Sequence, residues 1–196
     1  MKKNEFNKQY WEDLYKTQQT GWNIGYPSTP IKDYINQLEN KSLEILIPGA
    51  GNSYEAEHLW NTGFKNTYVL DIAKQPLENF KQRVTSFPEE QLFHQDFFKL
   101  NKQFDIIIEQ TFFCALNPTL REAYAEKMHQ LLKPNGKMAG LLFNFPLSES
   151  GPPFGGSLTE YKSLFSKYFK IKTLKPSINS IKERQGKELF FIFEKL

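Results

Sequence analysis

The run Leu43-Glu44-Ile45-Leu46-Ile47 stops abruptly on Pro48-Gly49-Ala50-Gly51-Asn52-Ser53. Five residues are too few for a buried helix, and the two glycines mark a tight turn. The segment therefore reads as a buried strand entering a helix that starts at Asn52 or Ser53, runs to about Asn61 and ends at Gly63. The same rhythm recurs downstream. Residues 67–71 are strand-like, 75–83 helix-like, 91–94 a short strand, and 104–108 a near-continuous apolar strand. A helix over about 120–132 closes at Lys133-Pro134-Asn135-Gly136, and the chain returns as a strand over 137–144. Short apolar strands alternating with helices point to a parallel sheet covered on both faces.

The two ends of the chain break this rhythm. Residues 6–16 mix aromatic and charged side chains at helical spacing, and a loop around Thr20-Gly21-Trp22 follows. A second helix is expected next, with Thr29 as its cap, Pro30 in its first turn, and Ile31, Tyr34, Ile35 and Leu38 at helical intervals. Past Pro152-Pro153 come a helix at 158–165 and strands at 168–174 and 188–193, with no strong helix between them, which suggests an antiparallel pair at one sheet edge. The expectation is a single α/β, Rossmann-like domain with a mostly parallel seven-stranded sheet and an antiparallel edge strand. Residues 1–40 would form an N-terminal helical lid and 41–196 the core. A length of 196 residues suits one such domain.

Composition narrows the class further. At 15% aromatic residues, with 18 Phe, the chain is not predominantly disordered. The single cysteine, Cys114, precludes an internal disulfide, and no Cys/His set suits a structural zinc, so no metal is expected. The net charge of +3 is local, because residues 160–196 carry nine Lys/Arg against four Asp/Glu, which reads as a solvated basic face rather than a nucleic-acid surface. A polar start from Met1 to Lys8 and the lack of a long apolar run lead us to expect a cytoplasmic protein free of membranes, and a monomer is expected because nothing in the helix patterns forces a dimer.

In an open parallel sheet, ligands bind outside the carboxyl ends of the strands. The turn containing Gly49 and Gly51 lies there, where a bare backbone can approach a ligand and the next helix offers free N–H groups. About 20 residues later Asp71 ends the second strand, where a carboxylate can accept both hydroxyls of an adenosine ribose. Tyr54 stands where a dinucleotide fingerprint wants Gly or Ala, and no G-K-[ST] follows the turn, so neither a nicotinamide dinucleotide nor a P-loop nucleotide fits. S-adenosylmethionine, with a ribose and adenine but no phosphate, satisfies both observations. Asp96 could then accept from the adenine amino group or serve as a turn cap, Phe97 could pack near the ring, and Glu109-Gln110 would end the fourth strand beside the reacting methyl. Trp11, Tyr15 and Trp22 could fold over the cofactor, since a sulfonium is well placed near aromatic faces. Of the other reactive residues, Cys114, His94, His58 and His129 read as packing or surface groups, and Glu89-Glu90 as a solvated turn.

Six segments in order resemble one family, the thiopurine S-methyltransferases with their plant-type thiol and halide branch. They are Trp11-Glu12-Asp13-Leu14-Tyr15 with Thr20-Gly21-Trp22, Ile47-Pro48-Gly49-Ala50-Gly51-Asn52, Val69-Leu70-Asp71-Ile72, His94-Gln95-Asp96-Phe97-Phe98, the stretch from Phe104 through Glu109-Gln110-Thr111-Phe112-Phe113-Cys114 to Leu116, and Gly151-Pro152-Pro153-Phe154. The resemblance implies a class I methyltransferase fold, with cofactor positions at Trp11, Tyr15, Trp22, Gly49, Asp71, Asp96, Phe97 and Gln110. The chain departs from the pattern at Gln110, where the plant branch has Tyr and the mammalian thiopurine branch Arg, and at Phe154, where the plant branch has Tyr.

Our expectation is a methyltransferase in which Gln110, Phe112, Phe113, Phe154 and Trp22 wall an apolar pocket for a small soft nucleophile, most simply a thiol, with S-adenosylhomocysteine as product. The competing readings are the same cofactor with another acceptor (halide, thiocyanate, nucleic acid or protein) or a domain that binds the cofactor without turnover. An N/D-P-P-Y/F motif at the fourth strand, which would receive a flipped base, is replaced here by Glu109-Gln110-Thr111-Phe112.

Overall fold

The computed structural model describes residues 6–196, so the polar start from Met1 to Glu5 lies outside the described residues. Helix α1 (Lys8–Lys16) is capped by Asn7, whose side chain accepts from Tyr10 N. Helix α2 (Thr29–Asn36) follows, then strand β1 (Ile45–Pro48), helix α3 (Tyr54–Asn61), strand β2 (Thr67–Asp71) and helix α4 (Lys74–Arg83). Strands β3 (Leu92–His94) and β4 (Phe104–Gln110) lead to helix α5 (Arg121–Gln130) and the long strand β5 (Leu132–Phe143). Helix α6 (Leu158–Phe165) and strands β6 (Phe169–Pro176) and β7 (Glu188–Lys195) complete the chain.

All seven strands join one sheet in the order β3-β2-β1-β4-β5-β7-β6. Strands β1 to β5 pair in parallel, whereas β7 runs antiparallel to both β5 and β6. The antiparallel pair thus closes one edge, with the reversed strand one place inside it. Burial on both faces explains the unbroken apolar runs. Ile45, Ile47, Ile106 and Ile108 pack with α2, α3 and α4 through Ile31, Ile35, Leu59 and Phe80. Leu46 and Ile107 belong to the opposite layer with Tyr124, Met128, Phe165 and Phe193.

Several boundaries differ from the sequence reading by a few residues, and three of the shifts have a local cause. Thr29 is the first helical residue rather than the cap; Ser28 takes that place, and its N–H is held by Glu55 Oε1 at 2.9 Å. Helix α5 is shorter than expected at both ends: a separate 3-10 turn, Pro118–Leu120, precedes it, with Asn117 accepting from Thr119 N at 3.0 Å, and Leu131 caps it before β5 begins at Leu132. Strand β5 starts early: Leu132 already pairs with Phe104, and the Lys133–Gly136 turn, with Asn135 at φ +62°, interrupts the register before Lys137 pairs with Ile106.

The expected lid also divides. Ile31 and Ile35 of α2 are fully buried in the core layer, so α2 is a wall of the core and not a cover. The basic surplus of the C-terminal region falls partly on the edge strand β6, where Lys170, Lys172 and Lys175 are exposed. Exposed lysines on an unpaired edge discourage another strand from adding to it. Among the described residues no helix is long and apolar enough to cross a membrane.

Phe165 is fully buried, with its ring centroid 4.9 Å from Phe193, 5.7 Å from Phe113 and 6.2 Å from Phe169. Phe165→Ala removes that shared ring, and we expect a loss of about 3–5 kcal/mol in urea unfolding, read as a lower midpoint at unchanged slope.

Candidate functional site

The parallel register brings the strands to a common carboxyl end: Pro48 of β1 lies beside Leu70 of β2, and Asp71 beside His94 of β3. Outside that end lies a cavity of about 560 Å³, within the usual range for a drug-sized ligand. Its floor is the turn after β1 and the end of β2, through Gly49, Gly51, Asp71 and Ile72. Asp96, Phe97 and Phe98 after β3, and Thr111, Phe112 and Cys114 to Leu116 after β4, form two walls. Trp11, Leu14, Tyr15 and Trp22 cover it from the N-terminal segment.

Asp71 is 7% exposed and lines the cavity. Its Oδ2 accepts from Gly51 N at 3.0 Å and its Oδ1 from Ala73 N at 2.8 Å, so the carboxylate is fixed between the glycine turn and the start of α4. Burial pushes its pKa up to about 6, partly offset by those backbone N–H groups and reinforced by the charge of Glu12. Gly49 has φ +56°, and a Cβ there would lie 2.2 Å from the Phe112 ring, so the turn admits no side chain. A Cβ on Gly51 would meet the Tyr15 hydroxyl at 3.3 Å.

The lid is an edge-to-face aromatic chain. Trp22 packs on Trp11 at 5.5 Å and on Tyr15 at 5.6 Å, both with rings tilted by 78°. Burial, and the Asp71 carboxylate nearby, push the Tyr15 phenol up, so it stays neutral. Two hydrogen bonds fasten the lid. Glu12 Oε1 accepts from Lys74 N at 2.8 Å, supplying the cap that Ala73 cannot give α4, and Arg184 Nη2 donates to the Trp22 carbonyl at 3.0 Å.

Asp96 does cap a turn: Oδ1 accepts from Phe98 N at 3.0 Å while the residue lines the cavity. Phe97 also lines it and is backed by Phe112 at 5.1 Å. Gln110, Phe113 and Phe154 are not among the lining residues. By the alternation of β4, Gln110 shares the face of Ile106 and Ile108, and its Oε1 is buried without a hydrogen-bond partner. Phe154 is fully buried behind the wall, with its ring against Phe6 at 5.6 Å and its N–H on the Cys114 carbonyl at 2.8 Å. Glu109 points away from the cavity into the α5 layer, where its Oε2 accepts from the Tyr124 hydroxyl.

Phe143, Pro152, Pro153, Glu183 and Arg184 complete the wall instead. Arg184 was not anticipated. It reaches in from the β6–β7 connection, its side chain is 12% exposed, and Nη1 lies 3.7 Å from Glu188 Oε1. A lone arginine before the last strand was the available signal, and nothing local in the sequence tells which way it turns. Cys114 lines the cavity but is buried, its thiol pushed up by burial and by Glu109, and Sγ lies 3.4 Å from the Thr111 carbonyl. A protonated, hydrogen-bonded thiol is a poor nucleophile. Among the described residues no histidine lines the cavity.

These groups suit S-adenosylmethionine. A buried carboxylate and the bare backbone of Gly51 line its floor, the features expected to meet a ribose, and neutral aromatic faces line its cover, as expected around a cation. If Asp71 holds the ribose as expected, its protonation in the free protein competes with that contact. Affinity for S-adenosylhomocysteine should therefore be constant above about pH 6 and weaken by up to about tenfold per pH unit below it. Titration calorimetry should show that dependence and its absence in Asp71→Asn.

A family model described as thiopurine S-methyltransferase matches residues 6–196. Probable thiol methyltransferase 2 of Arabidopsis thaliana is 30% identical over 159 residues, 79% of this chain and 70% of that protein. The thiopurine S-methyltransferase of Vibrio campbellii is 35% identical over 180 residues, 83% of each chain. Among solved structures, the Burkholderia thailandensis 1,6-didemethyltoxoflavin-N1-methyltransferase, with bound 1,6-didemethyltoxoflavin and S-adenosylhomocysteine, superposes with a TM-score of 0.79 at 14% identity, over 96% of this chain and 86% of that one. The chain belongs to the thiopurine S-methyltransferase family, and its cofactor is S-adenosylmethionine.

Proposed function

We propose that this protein methylates a small thiol, held as its thiolate near Arg184. The observation that carries the reading is the polarity of the cavity: a carboxylate, Asp71, at the ribose end, and a guanidinium, Arg184, on the otherwise largely apolar wall formed by Leu116, Phe143, Pro152 and Pro153. The names of the thiol and thiopurine relatives support a sulfur acceptor.

When bound, S-adenosylmethionine supplies an electrophilic methyl on a sulfonium. The chain's own residues do the rest. Asp71, Gly49 and Gly51 fix the ribose end, Asp96 and Phe97 the adenine end, and Trp11, Tyr15 and Trp22 exclude water above. In-line displacement then depends on holding the nucleophile about 3 Å from the methyl and opposite the leaving sulfur, so positioning supplies much of the acceleration. Arg184 favours the ionised acceptor electrostatically. Glu183, beside it, is the nearest carboxylate in sequence, and the wall offers no imidazole to take a proton. The acceptor must arrive ionised, which favours thiols of low pKa such as aryl thiols and hydrosulfide.

We read the protein as a monomer of the cytoplasm. Residues 6–27 act as the lid on a core that includes α2. The exposed lysines of β6 lie on the sheet edge, which favours a small-molecule acceptor over a nucleic acid.

The test is S-adenosylhomocysteine formation across hydrosulfide, aryl and alkyl thiols, iodide, thiocyanate and thiopurines, with an RNA control. Aryl thiols and hydrosulfide should react best, with kcat/KM rising through the acceptor's own pKa. Turnover of RNA alone would reject the reading. Arg184→Met should lower kcat/KM for a thiolate by about 10- to 100-fold, the size of a lost charge-assisted contact, and Arg184→Lys should recover part of it.

A further inference from the structure

We propose that Glu109 is a positioning residue whose buried carboxylate oxygen holds the cavity wall after β4 in a backbone conformation it would not adopt alone. The proposal rests on the methyltransferase reading for its kinetic readout and on geometry for its structural one. Thr111, a β-branched residue lining the cavity, sits at φ +57°, a region such side chains rarely enter. Strain of this kind persists only where neighbouring contacts enforce it.

Those contacts converge on one side chain. Glu109 is fully buried; its Oε1 accepts from Phe112 N at 2.8 Å and from Phe113 N at 3.0 Å, the two amides directly after the strained residue. Thr111 adds a local bond from Oγ1 to the Gln110 carbonyl at 2.7 Å. Oε2 accepts from the hydroxyl of Tyr124, also fully buried, whose ring backs Phe97 at 5.6 Å and Phe112 at 5.9 Å. Phe112 in turn occupies the space over Gly49. One oxygen therefore ties the acceptor wall to the floor of the cofactor site, and the other ties it to the ring behind the adenine wall.

The requirement is for an acceptor oxygen at that point rather than for a charge. A glutamine keeps one oxygen for the two amides, and its NH2 can donate to the Tyr124 oxygen once that hydroxyl turns. Glu109→Gln should accordingly retain kcat within about threefold. Glu109→Leu leaves both amides unpaired and frees the turn. We expect its kcat for a thiol to fall about 100-fold, the scale of a displacement near 1 Å in a reacting geometry, while the Kd for S-adenosylhomocysteine changes less than about tenfold. Should the leucine variant fail to fold, Glu109→Asp, which withdraws the oxygens by one methylene, carries the same expectation at reduced size.

Amide hydrogen exchange at Phe112 and Phe113 tests the proposal without any acceptor. Protection of both amides should survive in the glutamine variant and collapse in the leucine or aspartate variant. Unchanged protection and kcat in those variants, or a glutamine variant as impaired as the leucine one, would overturn the proposal. A wild-type protein inactive toward every thiol would count against the thiol reading and leave the exchange test to decide on Glu109.

Discussion

A buried carboxylate that ionises is costly unless backbone donors surround it, and Asp71 is held on those terms. Its two oxygens take one N–H from the glycine turn after β1 and one from the start of α4, so three segments share a single fixed point. The parallel pairing of β1 and β2 makes this contact available, because it brings Pro48 and Leu70 level. Without that alignment neither the turn nor the carboxylate would face the same space. The cost of keeping Asp71 desolvated shows in its raised pKa, and a ligand with a pair of hydroxyls offers the donors that water would otherwise supply.

The rest of the site follows a division of electrostatic labour. Asp71 and Asp96 lie on the sheet side, neutral aromatic rings cover them, and Arg184 lies on another wall, flanked by Glu183 and with Glu188 3.7 Å away. In the proposed reaction a cationic cofactor and an ionised acceptor would meet these two sides of the cavity respectively. Glu188 beside Arg184, itself buried and with its pKa raised by that burial, restrains the guanidinium from behind.

Much of this was legible in the sequence, for definable reasons. The strands were visible because burial on both faces leaves unbroken apolar runs, and Asp71 because its distance from Gly51 follows from one strand-helix-strand repeat. Trp11, Tyr15 and Trp22 were visible as aromatic side chains on the N-terminal segment, which left a cover over a cofactor and ordinary packing of that helix as open alternatives. Gln110 and Phe154 were assigned to the acceptor wall by their place in the chain, whereas the two-residue period of β4 puts Gln110 on the face of Ile106 and Ile108, and Phe154, after β5, is fully buried. Arg184 was out of reach because its direction depends on β7 being inserted antiparallel between β5 and β6. Glu109 was noticed for its position, but its partners, two amides on a strained turn and a tyrosine on α5, exist only once that turn has folded.

The hydrogen bond from Arg184 to the Trp22 carbonyl joins positions 162 residues apart. Two of the lid's fastenings lie far apart along the chain: Glu12 is met by Lys74 N at the start of α4, and the Trp22 carbonyl only by Arg184 in the connection that leads into β7. A chain folded without that connection would carry the glycine turn, Asp71 and an anchored α1, yet leave the roof at Trp22 without its guanidinium. Closing the roof over the cavity is therefore coupled to inserting β7 into the sheet, without any added control element.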